Sequence, residues 1–249
     1  MATAPERKYA AGARAQELAI DVGLRQYMLR VYNYMAGGLA VTGVVALVVA
    51  NLAVASYAPL RLTGFGWAIY QSPLQWLIMF APLIFALVFG LRINAMRAST
   101  AQALFWAFSA VMGLSLSWIF LVYAQASIAR VFFITAGTFA ATSLYGYTTR
   151  RELTGIGSFM FMGLIGLIIA MLVNIFLQSA AVEFAISVIG VIVFTGLAAW
   201  DTQRIKESYV EGDVHEIGIK KAVIGAFQLY LDFINLFIML LRLFGSSRN

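Results

Sequence analysis

The stretch from Ala222 to Phe244 most constrains the fold, because it can cross a bilayer yet carries an aspartate, Asp232, near its middle. About 20 mostly apolar residues span the hydrocarbon core. On a helix, seven positions of this region recur at alternating steps of four and three and form one stripe. They are Lys221, Gly225, Gln228, Asp232, Asn235, Met239 and Arg242. A charged group at the bilayer centre costs at least ~2.5 kcal/mol, so we expect this helix to lie inside a bundle.

Composition places the whole chain in the membrane. Of its 249 residues, 62% are hydrophobic and only 11% are charged, against roughly 25% charged in a soluble domain. Long apolar runs indicate helices rather than a transmembrane barrel. The sequence holds no cysteine and one histidine, His215, which excludes thiolate chemistry and any site built from several histidines. No cofactor is expected.

Seven apolar segments follow a polar N-terminal segment, residues 1–32, part of which we interpret as either an interfacial helix or an extension of the first membrane helix. The predicted spans are 33–55, 74–92, 100–123, 130–148, 156–178, 182–201 and 222–244. The expected fold is therefore an all-α integral membrane protein, with residues 33–249 as one seven-helix domain and the seventh helix at its centre.

Lysine and arginine positions predict the orientation. Only Arg61, Arg130, Arg242 and Arg248 lie on one side of the alternating spans, which leaves thirteen of the seventeen basic residues on the other side. Basic loops stay in the cytoplasm, so we expect a cytoplasmic N-terminus and an external C-terminus. The net charge of +6 then reflects topology, and no nucleic-acid partner is expected.

Two aspartates are the main candidates for chemistry. Asp201 ends the predicted sixth segment, and Asp232 lies within the next one, so the two can meet between consecutive antiparallel helices. Asp232 lies ten residues past Ala222, or ~15 Å along a helix, so a meeting requires the seventh helix to begin deeper or to tilt. Two carboxyls in a dry site cannot both ionise cheaply and would share a proton. When deprotonated, they would form an oxygen site suited to Ca²⁺.

Other polar residues of the segments are weaker candidates for functional residues. Arg92 is the first candidate for a cation beside the aspartates and Arg97 the second, although either is also explained by topology alone. Gln228 and Asn235 are read as pore-lining groups or as hydrogen-bonding contacts between helices. Glu183 is the one acidic residue expected on the outer side, on the same helix face as Asp201.

Several stretches carry a resemblance to a known family. GLAAWDTQRIKESY and, about thirty residues later, LYLDFINLFIMLLRLFG resemble the Bax inhibitor-1 family (the transmembrane Bax inhibitor motif proteins), and in particular its bacterial, YccA-like branch. SIARVFFITAGTFAATSLYGYTTRREL and ISVIGVIVFTGLAAWDTQ are similar to the same family. The resemblance extends from about residue 30 to the C-terminus.

The resemblance implies a central seventh helix wrapped by six others and a pH-sensitive calcium leak in the bacterial inner membrane. It implies that Asp201 and Asp232 form the pH sensor, with either Arg92 or Arg97 bonded to them. It also implies a second role, as a non-conducting regulator of other membrane proteins such as a membrane-bound quality-control protease. The expected partners are the lipid bilayer, Ca²⁺ and such proteins.

An enzyme is the least favoured alternative. Intramembrane aspartyl proteases of presenilin type also place aspartates on two consecutive helices. They carry Gly-x-Gly before the second aspartate, whereas Leu229, Tyr230 and Leu231 precede Asp232 here. They also need a downstream Pro-Ala-Leu motif, and the last proline of this chain is Pro82. We therefore expect no catalytic residues.

Overall fold

The computed structural model of the chain describes residues 4–57 and 60–248, without the side chains of residues 4–21 and of Asn94. Residues 1–3 of the predicted N-terminal segment lie outside this description. Within the described part, seven helical spans are long and apolar enough to cross a membrane. The predicted all-α, seven-span architecture is confirmed.

The elements follow one another in simple order. The helices are α1 (Ala4–Ala53), α2 (Gly64–Tyr70), α3 (Leu74–Arg92), α4 (Ala98–Leu116), α5 (Ile119–Val122), α6 (Gln125–Thr148), α7 (Thr154–Leu177), α8 (Ala180–Glu207) and α9 (His215–Phe244). Strands β1 (Val54–Tyr57) and β2 (Leu60–Leu62) pair antiparallel after α1. The third span combines α4 and α5. The two helices part at Ser117, whose hydroxyl donates to the carbonyl of Leu114 at 2.7 Å.

The seventh span, α9, is the centre of the bundle. In its most apolar window 72% of the residues are buried, against 6% in α7. Helices α1, α4, α6 and α8 pack along it, and α3 reaches it through Phe89, whose ring lies 4.6 Å from that of Phe227. Helix α7 packs behind α8. The predicted central position of the seventh helix is confirmed.

Helices α7 and α8 are separated by two residues. Gln178 takes the left-handed conformation (φ 50°) at the end of α7, and the hydroxyl of Ser179 accepts a hydrogen bond from Val182 at the start of α8. Such a cap satisfies a backbone donor that a helix start leaves open. These two residues therefore mark the break between two segments that are nearly continuous in sequence.

Glycines set the closest approaches between helices. A Cβ at Gly146 of α6 would lie 2.1 Å from the carbonyl oxygen of Ala199 in α8, and one at Gly190 of α8 would lie 2.8 Å from Met239 in α9. Small residues permit such approaches in membrane bundles. Helix α8 is thereby held tightly between α6 and α9, and this position determines where Asp201 lies.

Candidate functional site: the α8–α9 carboxyl pair

The polar stripe of α9 contacts α8 and the residue that follows it at several positions. At one end Lys221 donates to the carbonyl of Ser208 at 2.9 Å, and at the other Arg242 lies 3.9 Å from Glu183. Between these ends, Gly225 of the stripe packs against Ile205 and Met239 packs against Gly190. Gly225, Asp232 and Met239 of the stripe are therefore buried, whereas Lys221, Gln228 and Asn235 are half-buried and Arg242 is exposed. The sequence pattern predicts the burial of Asp232 but not that of the whole stripe. We call the side of the bundle that holds residues 208–214 the loop side.

The two aspartates meet at this interface. The carboxyls of Asp201 and Asp232 are within hydrogen-bonding contact of each other. Helix α9 begins at His215, seven residues or ~10 Å before the predicted start, and α8 continues past Asp201 to Glu207. The deeper start required for a meeting is present, and both carboxyls lie inside the bundle.

The pair is buried and incompletely hydrogen-bonded. Asp232 is 6% exposed, and the side chain of Asp201 is 13% exposed. One oxygen of each, Asp201 Oδ1 and Asp232 Oδ2, has no hydrogen-bond partner among the described residues. A contact between two carboxyls becomes a hydrogen bond only when one carries a proton, because an ionised carboxylate has no donor. The state of this contact therefore depends on protonation.

The cation beside the pair is Arg204. Its Nη1 lies 3.9 Å from Asp201 Oδ1, three residues on in α8, and its guanidinium lies over the Trp200 ring, 5.2 Å from the centroid. Arg92 and Arg97, the cations expected beside the aspartates, are both exposed, and neither has an ion pair within the described part of the chain. Asp201 has this partner because residues three apart on one helix are neighbours.

The other candidate residues are spread along the stripe. Gln228 and Asn235 are half-buried, and Asn235 donates to the carbonyl of Leu231 in its own helix at 2.8 Å. Glu183 lies at the opposite end of α8 from Asp201, in its ion pair with Arg242. Gln228 and Asn235 therefore flank Asp232 one turn away on α9, whereas Glu183 is remote from the carboxyl pair.

The segment around Asp201 fastens α8 to its neighbours. Thr202 is bonded to Ser143 of α6 at 2.8 Å, and Gln203 accepts from Leu153 N at 2.8 Å and donates to Arg151 O at 2.9 Å. Lys206 donates to the carbonyl of Tyr147 at 2.8 Å. Thr202, Gln203 and Lys206 of the D-T-Q-x-I-K stretch thus fix the position of α8. Sequence reasoning treated this stretch only as a family signature.

A second buried polar contact escaped sequence analysis. Tyr230 lies on another face of α9, and its hydroxyl is 2.6 Å from that of Thr42 in α1. Thr42 Oγ1 is also 2.9 Å from the carbonyls of Gly38 and Ser109. Since the single threonine proton is directed to these carbonyls, Tyr230 donates to Thr42. An aromatic residue in an apolar run gives little sign of this role, which ties the centre of α9 to α1 and α4.

The pair is a sparse site for a metal ion. Within the described residues no group of three His, Cys, Asp or Glu side chains is placed to hold a metal. Two carboxyls offer at most four oxygens, whereas Ca²⁺ takes six to eight oxygen ligands. The arrangement thus suits a transient contact with a partly hydrated cation better than a permanent site.

Comparison with known proteins places the chain in a family. The family described as "Inhibitor of apoptosis-promoting Bax1" matches residues 24–249. Uncharacterized protein RP147 of Rickettsia prowazekii is 51% identical, over 92% of this chain and 93% of its own length. Inner membrane protein YbhL of Escherichia coli is 45% identical, over 91% of this chain and 94% of its own. An uncharacterized membrane protein of Streptococcus pyogenes is 36% identical, over 91% and 95%.

The relative YbhL is described as an inner membrane protein, which agrees with the seven apolar helices of a multi-pass protein of the bacterial inner membrane. The family is a membrane family and is not one of known enzymes. The match covers nearly the whole described chain, including both helices that carry the carboxyl pair. The chain belongs to the Bax inhibitor-1 family.

Proposed function

We propose that the protein is a pH-sensitive calcium leak channel, controlled by protonation of Asp201 and Asp232. The observation that supports this proposal is the contact between two buried carboxyls at the interface of two membrane-spanning helices. Charged residues at membrane depth are expensive and are commonly tied to function. The N-terminus is proposed to lie in the cytoplasm, which would put the loop side there as well.

Protonation would act on the α8–α9 contact directly. At low pH one proton bridges the carboxyls, and the contact is attractive. At high pH both carboxyls ionise, and two like charges ~4 Å apart repel by about 4 kcal/mol at an effective dielectric of 20. This repulsion favours a state in which the carboxyls separate and are solvated. The leak is therefore closed at low pH and opens as the pH rises.

The same ionisation would favour the permeant ion. Separated carboxylates present negative charge to a cation entering between α8 and α9, and Ca²⁺ binds carboxylate oxygens in flexible geometries. Four oxygens at most would hold the ion weakly enough to release it, as conduction requires. Gln228 and Asn235, half-buried on the same stripe, are proposed to supply further oxygens along its path.

Ca²⁺ flux into liposomes tests the proposal. The purified protein is reconstituted, and entry of Ca²⁺ is followed with an enclosed indicator at pH 6, 7 and 8, with the same pH on both sides. We expect flux to rise about tenfold from pH 6 to pH 8, which corresponds to a shift of ~1.4 kcal/mol in the closed–open equilibrium. Flux no greater than in protein-free liposomes at every pH would contradict the channel.

Arg204 provides a second prediction. Its cation favours the ionised form of Asp201, so removing it in Arg204→Gln is expected to move the midpoint of the flux–pH curve to higher pH. The side chain is 54% exposed, and exposed ion pairs contribute about 0.2–1 kcal/mol, so the shift should be about 0.1–0.7 pH unit. Flux titrations from pH 5.5 to 8.5 measure this midpoint.

Arg92→Gln and Arg97→Gln are the matched comparisons, because both residues are exposed and make no ion pair within the described residues. We expect their midpoints to equal that of the wild type. A shift in Arg92→Gln or Arg97→Gln, with none in Arg204→Gln, would instead assign the controlling cation to the position that the family resemblance implies.

A non-conducting regulator of other membrane proteins is the alternative function. The sparse ligand set of the pair supports it, because the described residues offer no third acidic side chain there. In that case the aspartates are a structural hydrogen-bonded pair. Alanine at both positions would then leave binding to a co-purified membrane partner intact in a pull-down, whereas the channel proposal makes the aspartates essential for pH-dependent flux.

A further inference from the structure

A long apolar slot lies between α1 and α6, apart from the carboxyl pair. It has a volume of about 1040 Å³, and Phe233 of α9 forms part of its wall. The walls include Leu39 and Gly43 of α1 and Phe139 and Ala140 of α6. Ligand pockets commonly have volumes of roughly 300–1,000 Å³ and mostly apolar linings, so the slot is large enough for a sizeable apolar molecule.

The polar groups of the slot are confined to its loop side. Arg25, near the start of the α1 span, and Tyr147, near the end of α6, line that end. Lys206 lies against Tyr147, with its Nζ 5.8 Å from the ring centroid. Arg25 makes no hydrogen bond or ion pair with the side chains that the structure describes, which begin at Val22 in α1, and no acidic residue is among those that line the slot. The described side chains at the loop-side end of the slot therefore carry positive charge.

The dimensions fit one lipid leaflet. The thirteen residues from Tyr32 to Val44 cover ~18 Å of helix, close to half of the ~30 Å hydrocarbon core. A second cavity of about 270 Å³ shares the wall residues Leu39 and Gly43 with the slot. A partner helix with a diameter of ~10–12 Å is too wide for a cavity of this volume, whereas an acyl chain is not.

We propose that this slot binds one anionic phospholipid, with its phosphate at Arg25 and an acyl chain between α1 and α6. Charge complementarity selects the lipid class, because a cation near an anionic membrane surface contributes about 1 kcal/mol. The apolar walls accept the chain of any phospholipid, so the headgroup end sets the preference. This binding site is independent of the proposed calcium leak.

Native mass spectrometry of the full-length protein tests the proposal. The detergent-solubilised protein is mixed with equal amounts of phosphatidylglycerol and phosphatidylethanolamine, and the lipids that stay bound are identified by their mass. The wild type is expected to retain one phosphatidylglycerol with about fivefold preference, the factor that corresponds to ~1 kcal/mol. Arg25→Gln should remove the preference and keep binding. Arg30→Gln is the control, since Arg30 is also an exposed residue of α1 but does not line the slot.

Filling the slot should abolish binding. A Cβ at Gly43 meets nothing within 4 Å, so Gly43→Leu fills the space without a clash in the protein, and Ala140→Leu fills it from the opposite wall. Gly137→Leu is the matched control, since Gly137 is an exposed α6 glycine with equally open surroundings but does not line the slot. We expect both slot variants to lose the lipid and the control to keep it.

Two outcomes would overturn the proposal. In one, Gly43→Leu and Ala140→Leu both retain as much phosphatidylglycerol as the wild type, because the lipid would then lie elsewhere on the surface. The other is a wild-type protein that retains no lipid. This includes the case in which the wild type carries a co-purified protein chain in place of lipid and Gly43→Leu loses that chain. Size-exclusion profiles equal to the wild type confirm that each variant is folded.

Discussion

Asp232→Asn is expected to abolish the pH dependence of Ca²⁺ flux while leaving the fold intact. An asparagine amide cannot ionise, and its N–H is a permanent donor to Asp201. The α8–α9 contact would then stay attractive at every pH, so flux at pH 8 should fall about tenfold, to the level seen at pH 6. The liposome assay measures this as a ratio of initial rates near one. Asp201→Asn should behave in the same way, because either residue can carry the shared proton.

Glu207→Gln is the control for this result. Glu207 is also a carboxylate of α8, but it is exposed at the helix end, so its replacement should leave the roughly tenfold pH effect unchanged. If Asp232→Asn kept the full pH dependence, the sensor would have to be another titratable group. If Glu207→Gln removed it, the effect would arise from surface charge rather than from the buried pair.

Gly146→Ala is expected to lower the stability of the protein. The added Cβ would lie 2.1 Å from the carbonyl oxygen of Ala199 and 2.9 Å from its carbonyl carbon. These are backbone atoms, which cannot rotate away, so α6 must move from α8. Overpacking of this kind costs about 1–3 kcal/mol, and we expect the thermal midpoint of the detergent-solubilised protein to fall by roughly 2–12 °C. Differential scanning fluorimetry measures the change.

Gly137→Ala is the comparison on the same helix. Nothing lies within 4 Å of the added Cβ, and alanine is favoured over glycine inside a helix by roughly 0.5–1 kcal/mol. Its midpoint should therefore equal or exceed that of the wild type. Equal midpoints for Gly146→Ala and the wild type would show that α6 and α8 do not approach as closely as described.

Sequence patterns predicted the spans better than their ends. Hydropathy locates apolar residues, and so it placed the start of the seventh helix at Ala222. The preceding residues, HEIGIKK, are polar but helical, and α9 begins at His215. Likewise α8 continues through charged residues to Glu207. Helices that extend beyond the bilayer keep their backbone hydrogen bonds whatever their side chains, so the apolar run marks the membrane rather than the helix.

The candidate site was predicted in part. The stripe of α9 and the order of the helices were enough to bring Asp201 and Asp232 together. They did not identify Arg204, although its spacing of three from Asp201 makes the two residues neighbours on one helix; the expected cations were Arg92 and Arg97, at the end of the second span and beyond it. The Tyr230–Thr42 contact and the α1–α6 slot join residues distant in sequence, and no local pattern reports them.

The short connection between α8 and α9 has a consequence for how the protein enters the bilayer. Only residues 208–214 separate the two helices, so Asp201 and Asp232 belong to one helical hairpin and can pair before any other helix docks. A carboxyl that enters hydrocarbon alone is costly, whereas two that share a proton during insertion present less charge to lipid. The pairing of Asp201 with Asp232 would thus reduce the charge of the last two spans while they insert. The remaining helices would then assemble around a hairpin that is already stable in the membrane.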